Sequence, residues 1–460
     1  MALDGRIDFS EETGIMKVIE RGDEDALRLI RASVKPEDCL YGVSDYAYFY
    51  NNGGSRLIKS FLSGMIVEAT VEELAAIEHL KSTPEPFSFI EKNGLQPYIE
   101  NRILKKAGTD ECEVYLSLLR LLRAMRRPGG VTMYVVLVST GCNARCTYCF
   151  EEGFIPRTMS KETADRLIAL IEETHFKSGI ILNWFGGEPL LGHSIITYVC
   201  SELEKRGVAF TSQITTNASL FDAEIADAAK EIWHLELAQV SLDGDRADYE
   251  AKKRYVNPKA HNFDKVMESI HLLADRGIKV TLRCNFDARS VDSVRRNLDF
   301  LKSEFGEMSG MKVDFAPLFQ ERDGEAGEKL FEEAAKLRGY ARSIGVPVND
   351  GGKGSARLKL YHCIADNIPG ARTIMPDGTI YGCEHILVGD ERGDIWKGIT
   401  NQELIKSLSD IEPAEECRRC VFLPFCTPFK KKGCAIAGKY CREALEIKVR
   451  EAMKALAEAL

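Results

Sequence analysis

An α/β fold built on a parallel sheet is what this sequence predicts, with a small strand-and-helix unit before the sheet and a cysteine-rich segment after it. Three observations carry the prediction. From Val131 onward, apolar runs alternate with amphipathic segments of helical period. Pro128, Gly129 and Gly130 break the chain just before that rhythm begins. Beyond about residue 345 the rhythm stops and cysteines become frequent.

Residues 1–130 read as a small α+β, winged-helix-like unit. The stretch SDYAYFYNNGGSRLIKSFLSGMIVEATVEELAAIEHLK predicts a hairpin turned at Asn52 and Gly53, a short strand from Met65 to Glu68, and a helix after Thr70. A further helix spans Val114 to Arg127, with Arg120, Arg123, Arg126 and Arg127 near its end, where positive charge suits the helix dipole and water.

Residues 131–345 form the α/β unit. Strands are predicted at 132–139, 179–185, 209–215, 236–241, 278–284 and 311–317, with helices at 161–175, 192–206, 221–231, 264–276 and 290–304. Strands alternating with helices in this way pair in parallel, and function then collects at their carboxyl ends. Periodicity leaves open whether the sheet is flat or curls into a partial barrel. Residues 346–445 hold the cysteine-rich segment, with a hairpin in RTIMPDGTIYGC turned at Asp377 and Gly378. So few apolar runs suggest that metal holds this segment in shape. Residues 446–460 complete an amphipathic packing helix.

At 460 residues and 51.4 kDa, the chain can bury more than one core. Its net charge of -9 offers no broad basic surface, which argues against nucleic acid as a partner. No run is long and apolar enough to cross a membrane, and the opening MALDGRIDFSEETG does not read as a signal peptide. A cytoplasmic setting follows, where the 14 cysteines are better read as metal ligands than as disulfides.

The densest chemistry lies in STGCNARCTYCFEEG, directly after the first predicted strand. Cys142, Cys146 and Cys149 have the spacing of a loop that wraps three corners of an iron-sulfur cube, leaving one iron open for reaction. A structural zinc site is the plainer alternative, but it would need a fourth ligand nearby.

This arrangement, with Tyr148 before the last cysteine, resembles the radical S-adenosylmethionine (SAM) enzymes over roughly residues 131 to 320. The resemblance implies a partial (β/α)6 barrel and a 4Fe-4S cluster on Cys142, Cys146 and Cys149, with S-adenosylmethionine chelating the open iron. One-electron cleavage of the sulfonium would then yield a primary radical that removes a hydrogen atom from an unactivated carbon. NWFGGEPLL matches the family's glycine-glycine-glutamate stretch, so Gly186 and Gly187 would admit the methionine part of the cofactor and Glu188 would accept from its ammonium. Thr216, Asn217, Ser241, Asp243 and Asn285 fall at later strand ends and would orient the ribose and carboxylate. Arg283 would clamp the methionine carboxylate. Its neighbour Cys284 points to the opposite face and reads as a buried structural thiol.

Seven cysteines follow residue 362, and their layout resembles the SPASM extension with its two auxiliary 4Fe-4S clusters, three clusters in all. Cys417, Cys420, Cys426 and Cys441 would hold one cluster; Cys363, Cys383 and Cys434 would hold the other. Seven residues rather than the usual three separate Cys426 from Cys434. Two cubes need about eight ligands, so one auxiliary iron is open or takes a ligand from elsewhere. Glu384 stands beside Cys383, where the sulfatase-maturating relatives place an aspartate used for deprotonation. The plainer reading is a polar surface loop, with His385 and Asp390.

The resemblance points to a maturase of a ribosomally made precursor peptide, forming a thioether or carbon-carbon crosslink. The unit before residue 130 would bind the leader by strand addition. An external low-potential donor such as flavodoxin or ferredoxin would supply electrons. Formylglycine formation in sulfatases and peptide epimerisation are the alternatives within enzymes; an iron-sulfur electron-transfer protein is the alternative outside them.

Overall fold

The computed structural model describes residues 39–125, 129–321, 324–349, 364–385, 390–409, 413, 415–426 and 441–458. Its amino-terminal unit begins with β1 (Leu40–Val43), β2 (Ala47–Asn51), β3 (Arg56–Ser60) and β4 (Ile66–Glu68). The hairpin between β2 and β3 turns where the sequence places it: Gly53 takes a positive φ of 85°, and Asn52 Oδ1 accepts from the Gly54 and Ser55 amides. Helix α1 (Val71–Ser82) starts at Thr70, whose side chain and that of Glu73 form a reciprocal capping box. Then come β5 (Glu85–Pro86), α2 (Phe87–Lys92), α3 (Gln96–Glu100), β6 (Leu104–Lys106) and α4 (Glu111–Met125). The strands form two three-stranded sheets, β5-β1-β6 and β2-β3-β4.

The α/β unit follows the predicted rhythm closely. Its strands are β7 (Met133–Ser139), β8 (Ile180–Gly186), β9 (Phe210–Thr216), β10 (Leu235–Ser241), β11 (Lys279–Phe286) and β12 (Met311–Pro317). Helices α5 (Lys161–Thr174), α6 (His193–Lys205), α7 (Ala223–Glu231), α8 (Arg246–Lys253), α9 (Phe263–Asp275) and α10 (Val291–Phe305) lie between them, and α11 (Gly324–Ser343) follows. All six strands are parallel and stand side by side in chain order. A doubly wound sheet reverses its strand order; this one never does, so it is the wall of a partial (β/α)6 barrel. The main core packs strand residues such as Val136, Trp184, Ile214 and Val240 against helix residues such as Leu167, Ile196 and Ile270. Helix α8 is absent from the sequence prediction because RADYEAKK has no apolar stripe to reveal it.

The carboxyl-terminal segment extends the same sheet. Strand β13 (Ala371–Ile374) pairs in parallel with β7, and β14 (Thr379–Tyr381) returns through the predicted turn, where Gly378 has a positive φ. Two short strands, β15 (Gly393–Asp394) and β16 (Gly398–Ile399), complete it. Helices α12 (Gln402–Ser409), α13 (Glu415–Arg418) and α14 (Cys441–Ala457) follow.

The amino-terminal unit keeps a core of its own around Tyr41, Ile77, Leu80 and Tyr98. It also shares a second core with the end of the chain, where Tyr46, Phe61, Tyr115 and Leu119 pack with Phe422, Leu423, Val449 and Met453. Arg123, expected at a solvated helix end, instead forms an ion pair of 2.6 Å with buried Asp366. Arg126 and Arg127 lie outside the described residues. Among the described residues, no helix is long and apolar enough to cross a membrane.

Candidate active site at the carboxyl ends of the strands

The cysteine loop leaves β7 at Ser139 and is fixed by backbone bonds to two neighbours. On one side, the amides of Arg145 and Thr147 donate to carbonyls at the end of α8, and Val256 donates back to Asn143. On the other, Gly187 donates to Ser139 and Glu188 donates to Gly141. This second contact explains the paired glycines. A Cβ on Gly186 would stand 2.1 Å from the Ser139 carbonyl oxygen, and one on Gly187 would stand 2.6 Å from that of Gly141. Both glycines are therefore required by the close approach of the protein's own backbone.

Glu188 is fully buried and joins β8 to β9. Its carboxylate accepts from the Leu190 amide at 3.1 Å, the Thr216 hydroxyl at 2.6 Å and the Asn217 amide at 2.8 Å. Burial pushes its pKa up against the pull of those three donors. With three of about four acceptor positions filled, one remains on Oε2. The Asn217 side chain is engaged as well, donating to Asn143 Oδ1 at 2.8 Å and accepting from Ser219.

A second network is organised by Asp243, which has no exposed surface. Tyr148 donates its hydroxyl to Oδ2. Asn285 donates both its amide and its side chain to Oδ1 at 2.9 Å. The last partner is Lys253, absent from the sequence reading, whose Nζ lies 3.1 Å from Asp243 and 2.9 Å from the Tyr148 hydroxyl. Burial alone would lower the pKa of Lys253, but Asp243, Tyr148 and Cys146 around it outweigh burial and hold it well above the usual value. Burial pushes the Cys146 thiol up, and the buried ammonium of Lys253 partly offsets that rise. Its sequence signal is faint: Asp245 and Asp248 begin a short polar helix that ends in Lys253.

Arg283 points to the same face of β11 as Asn285 and pairs with Asp314 at 3.1 Å; Ser241 lies opposite it in register, half-buried. Cys284, on the other face, is buried in the main core as expected.

The cysteine-rich segment reaches this end of the barrel at Asp377, which pairs with Arg157 at 3.1 Å, and at His385. His385 stacks on Phe150, the residue after Cys149, with ring centroids 5.0 Å apart. His385 and its described neighbours are less exposed than a polar surface loop suggests. Glu384 and His385 are 22% and 24% exposed, and Asp390 is buried against Arg392 at 3.2 Å. Cys417 and Cys420 lie elsewhere, against the core shared with the amino-terminal unit. Cys363 and Cys434 are outside the described residues, as is the side chain of Cys441.

Among the described residues, the group of three metal-binding side chains with ligand atoms all within 4.8 Å is Cys383, Glu384 and His385. Cys142, Cys146 and Cys149 do not form so close a group. All three are partly exposed at the strand ends. Burial raises the Cys142 thiol to about 12, so iron binding there must displace protons.

Glu151, beyond Cys149, is buried, and its Oε1 has no hydrogen-bond partner among the described residues. Burial, and secondarily Glu188, raise its pKa to about 7. Between the unfolded value near 4.5 and the folded value near 7, the native chain holds a proton that the unfolded chain has lost. Stability of the cluster-free chain should therefore fall by about 3 kcal/mol as pH rises through that window, then level off. Thermal unfolding of Glu151→Gln across the same range should lack this slope.

Residues 136–287 match the family model of the radical SAM superfamily. GTP 3',8-cyclase of Mesorhizobium japonicum is 30% identical over 272 residues, covering 54% of this chain and 78% of that protein. Fe-coproporphyrin III synthase of Methanosarcina barkeri is 25% identical over 339 residues, covering 65% and 82%. Among solved structures, anSMEcpe with bound AdoMet superposes with a TM-score of 0.56 at 17% identity, over 72% of this chain and 99% of that one. Streptococcus suis SuiB bound to precursor peptide SuiA gives 0.51 at 14% identity, over 87% and 98%. The chain belongs to the radical SAM superfamily, enzymes that use S-adenosylmethionine and a 4Fe-4S cluster.

Proposed function

We propose that this enzyme is a maturase that installs a thioether or carbon-carbon crosslink in a ribosomally made precursor peptide. The observation that carries the reading is the core shared by the amino-terminal unit and the Cys417–Cys426 loop, because it unites a strand-bearing unit with a second cysteine site in one body. Among the described residues, strand β4 is an edge of its sheet. Ser60 donates to Met65 and Ala69 donates to Arg56, so the backbone groups of Ile66 and Glu68 alternate outward, free of the β3 ladder. A leader peptide would add there as a further strand.

Cys142, Cys146 and Cys149 hold the radical cluster, which with S-adenosylmethionine supplies the hydrogen-abstracting radical. Glu188 offers its remaining lone pair to the cofactor ammonium, while Tyr148, Ser241, Asp243, Asn285 and Arg283 shape the adjoining face. The later cysteines would hold two further clusters, with Cys383 as the ligand nearest the strand ends, beside the His385–Phe150 stack. Once Cys383 binds iron, its S–H contact to Glu384 at 3.7 Å is lost, leaving that carboxylate able to accept a substrate proton. An external flavodoxin-like or ferredoxin-like donor and a reducing cytoplasm complete the setting.

The test is mass spectrometry of a precursor encoded beside the gene, after anaerobic incubation with reconstituted, reduced enzyme and S-adenosylmethionine. The expected product has lost two hydrogens per crosslink, with 5'-deoxyadenosine formed. Cofactor cleavage with unchanged peptide mass would reject crosslinking and indicate epimerisation instead. Glu68→Pro, which removes one outward donor, should weaken precursor affinity roughly tenfold, the loss expected for about one hydrogen bond. Its cofactor cleavage should be unchanged.

A further inference from the structure

We propose that His385 is a positioning residue that donates two N–H···S hydrogen bonds to the Cys383 sulfur and so raises the reduction potential of the cluster bound there. The inference rests on the proposed auxiliary cluster and goes beyond it by assigning a role to a residue outside the cysteine pattern.

The geometry is specific. The His385 amide donates to Cys383 Sγ at 3.5 Å, and the ring Nδ1 lies 3.6 Å from the same sulfur. Both are ordinary lengths for a hydrogen bond to sulfur. They are too short for ligands on two irons of one cube, which the cluster holds well apart. A thiolate bound to iron carries no proton and only accepts, so the ring must present Nδ1–H toward it. Glu384 favours that tautomer, since its Oε1 lies 3.8 Å from the same nitrogen. Phe150 fixes the plane of the imidazole by stacking at an interplanar angle of 28°. Two fixed donors withdraw charge from the sulfur, and the more negative, reduced cluster gains most from them. The same stack joins the surroundings of Cys383 to the loop of Cys149, so the tuned site faces the radical site.

The experiment uses the full chain carrying Cys142→Ala, Cys146→Ala and Cys149→Ala, so that only auxiliary iron reports. Midpoint potentials are read by redox titration with electron paramagnetic resonance, beside iron and sulfide content. His385→Phe keeps a ring on Phe150 and removes the side-chain donor. Its potential should shift downward at unchanged iron content, and His385→Asn, which restores a donor, should recover part of the shift. An unchanged potential in His385→Phe would overturn the inference. So would strong nitrogen hyperfine coupling in the parent, which would make His385 a direct ligand. If the triple-alanine chain folds yet shows no reducible iron-sulfur signal, the auxiliary cluster itself is refuted and the inference falls with it.

Discussion

Replacing Cys142, Cys146 and Cys149 together with alanine should abolish formation of 5'-deoxyadenosine while leaving the chain folded. The loop's shape does not depend on its thiols: Arg145 and Thr147 are held by α8 carbonyls, and Gly141 by the Glu188 amide. Among the described residues, the thiols themselves add only weak sulfur hydrogen bonds: Cys142 with the Ala144 amide at 3.4 Å, Cys146 with Tyr148 and Cys149 with the Glu151 backbone. Because they are partly exposed, their loss opens no large cavity. Iron should fall by about a third if three cubes are bound, each carrying about four irons. Iron analysis, circular dichroism and nucleoside chromatography on one preparation check all three statements. Undiminished nucleoside formation would remove these cysteines from the chemistry.

Lys253→Met should be the most damaging single substitution in the site. Lys253 and Asp243 are 4% and 0% exposed, and loss of the ammonium leaves a buried carboxylate facing only the neutral donors Tyr148 and Asn285. Breaking such a pair costs about 3–5 kcal/mol. It also removes the cation behind Cys146, so iron retention at the radical site should fall. Adding Asp243→Asn makes the pair neutral while keeping an acceptor for Asn285. The double variant should recover much of the lost melting temperature but not the iron. If stability and iron return together, the lysine serves only the fold.

Periodicity was enough to place β7 through β12 to within two residues at each end, because buried parallel strands are continuously apolar and their helices amphipathic. The cysteine loop and the Gly186–Gly187 pair were legible for a different reason, since fixed spacing survives in a linear string. What stayed hidden was three-dimensional pairing. Lys253 sits on a helix without an apolar face, and its partner Tyr148 is 105 residues away. Arg123 looked solvated because Asp366, its partner, is 243 residues away. His385 read as loop polarity because the ring it stacks on, Phe150, lies far away in the sequence. Glu188 was legible as a site residue, but its tie to Thr216 and Asn217 became visible only once β8 and β9 lay side by side.

The core shared by Tyr46, Phe61 and Tyr115 with Phe422, Leu423 and Met453 makes the amino-terminal unit a poor candidate for transplantation. Grafted onto another barrel, it would present bare aromatic rings where this chain supplies its own tail, and a catalytic body stripped of it would lose one wall around the Cys417–Cys426 loop. Under the function proposed above, exchanging peptide specificity therefore requires the amino-terminal unit and the carboxyl-terminal segments that share its core to be inherited together, as a matched pair.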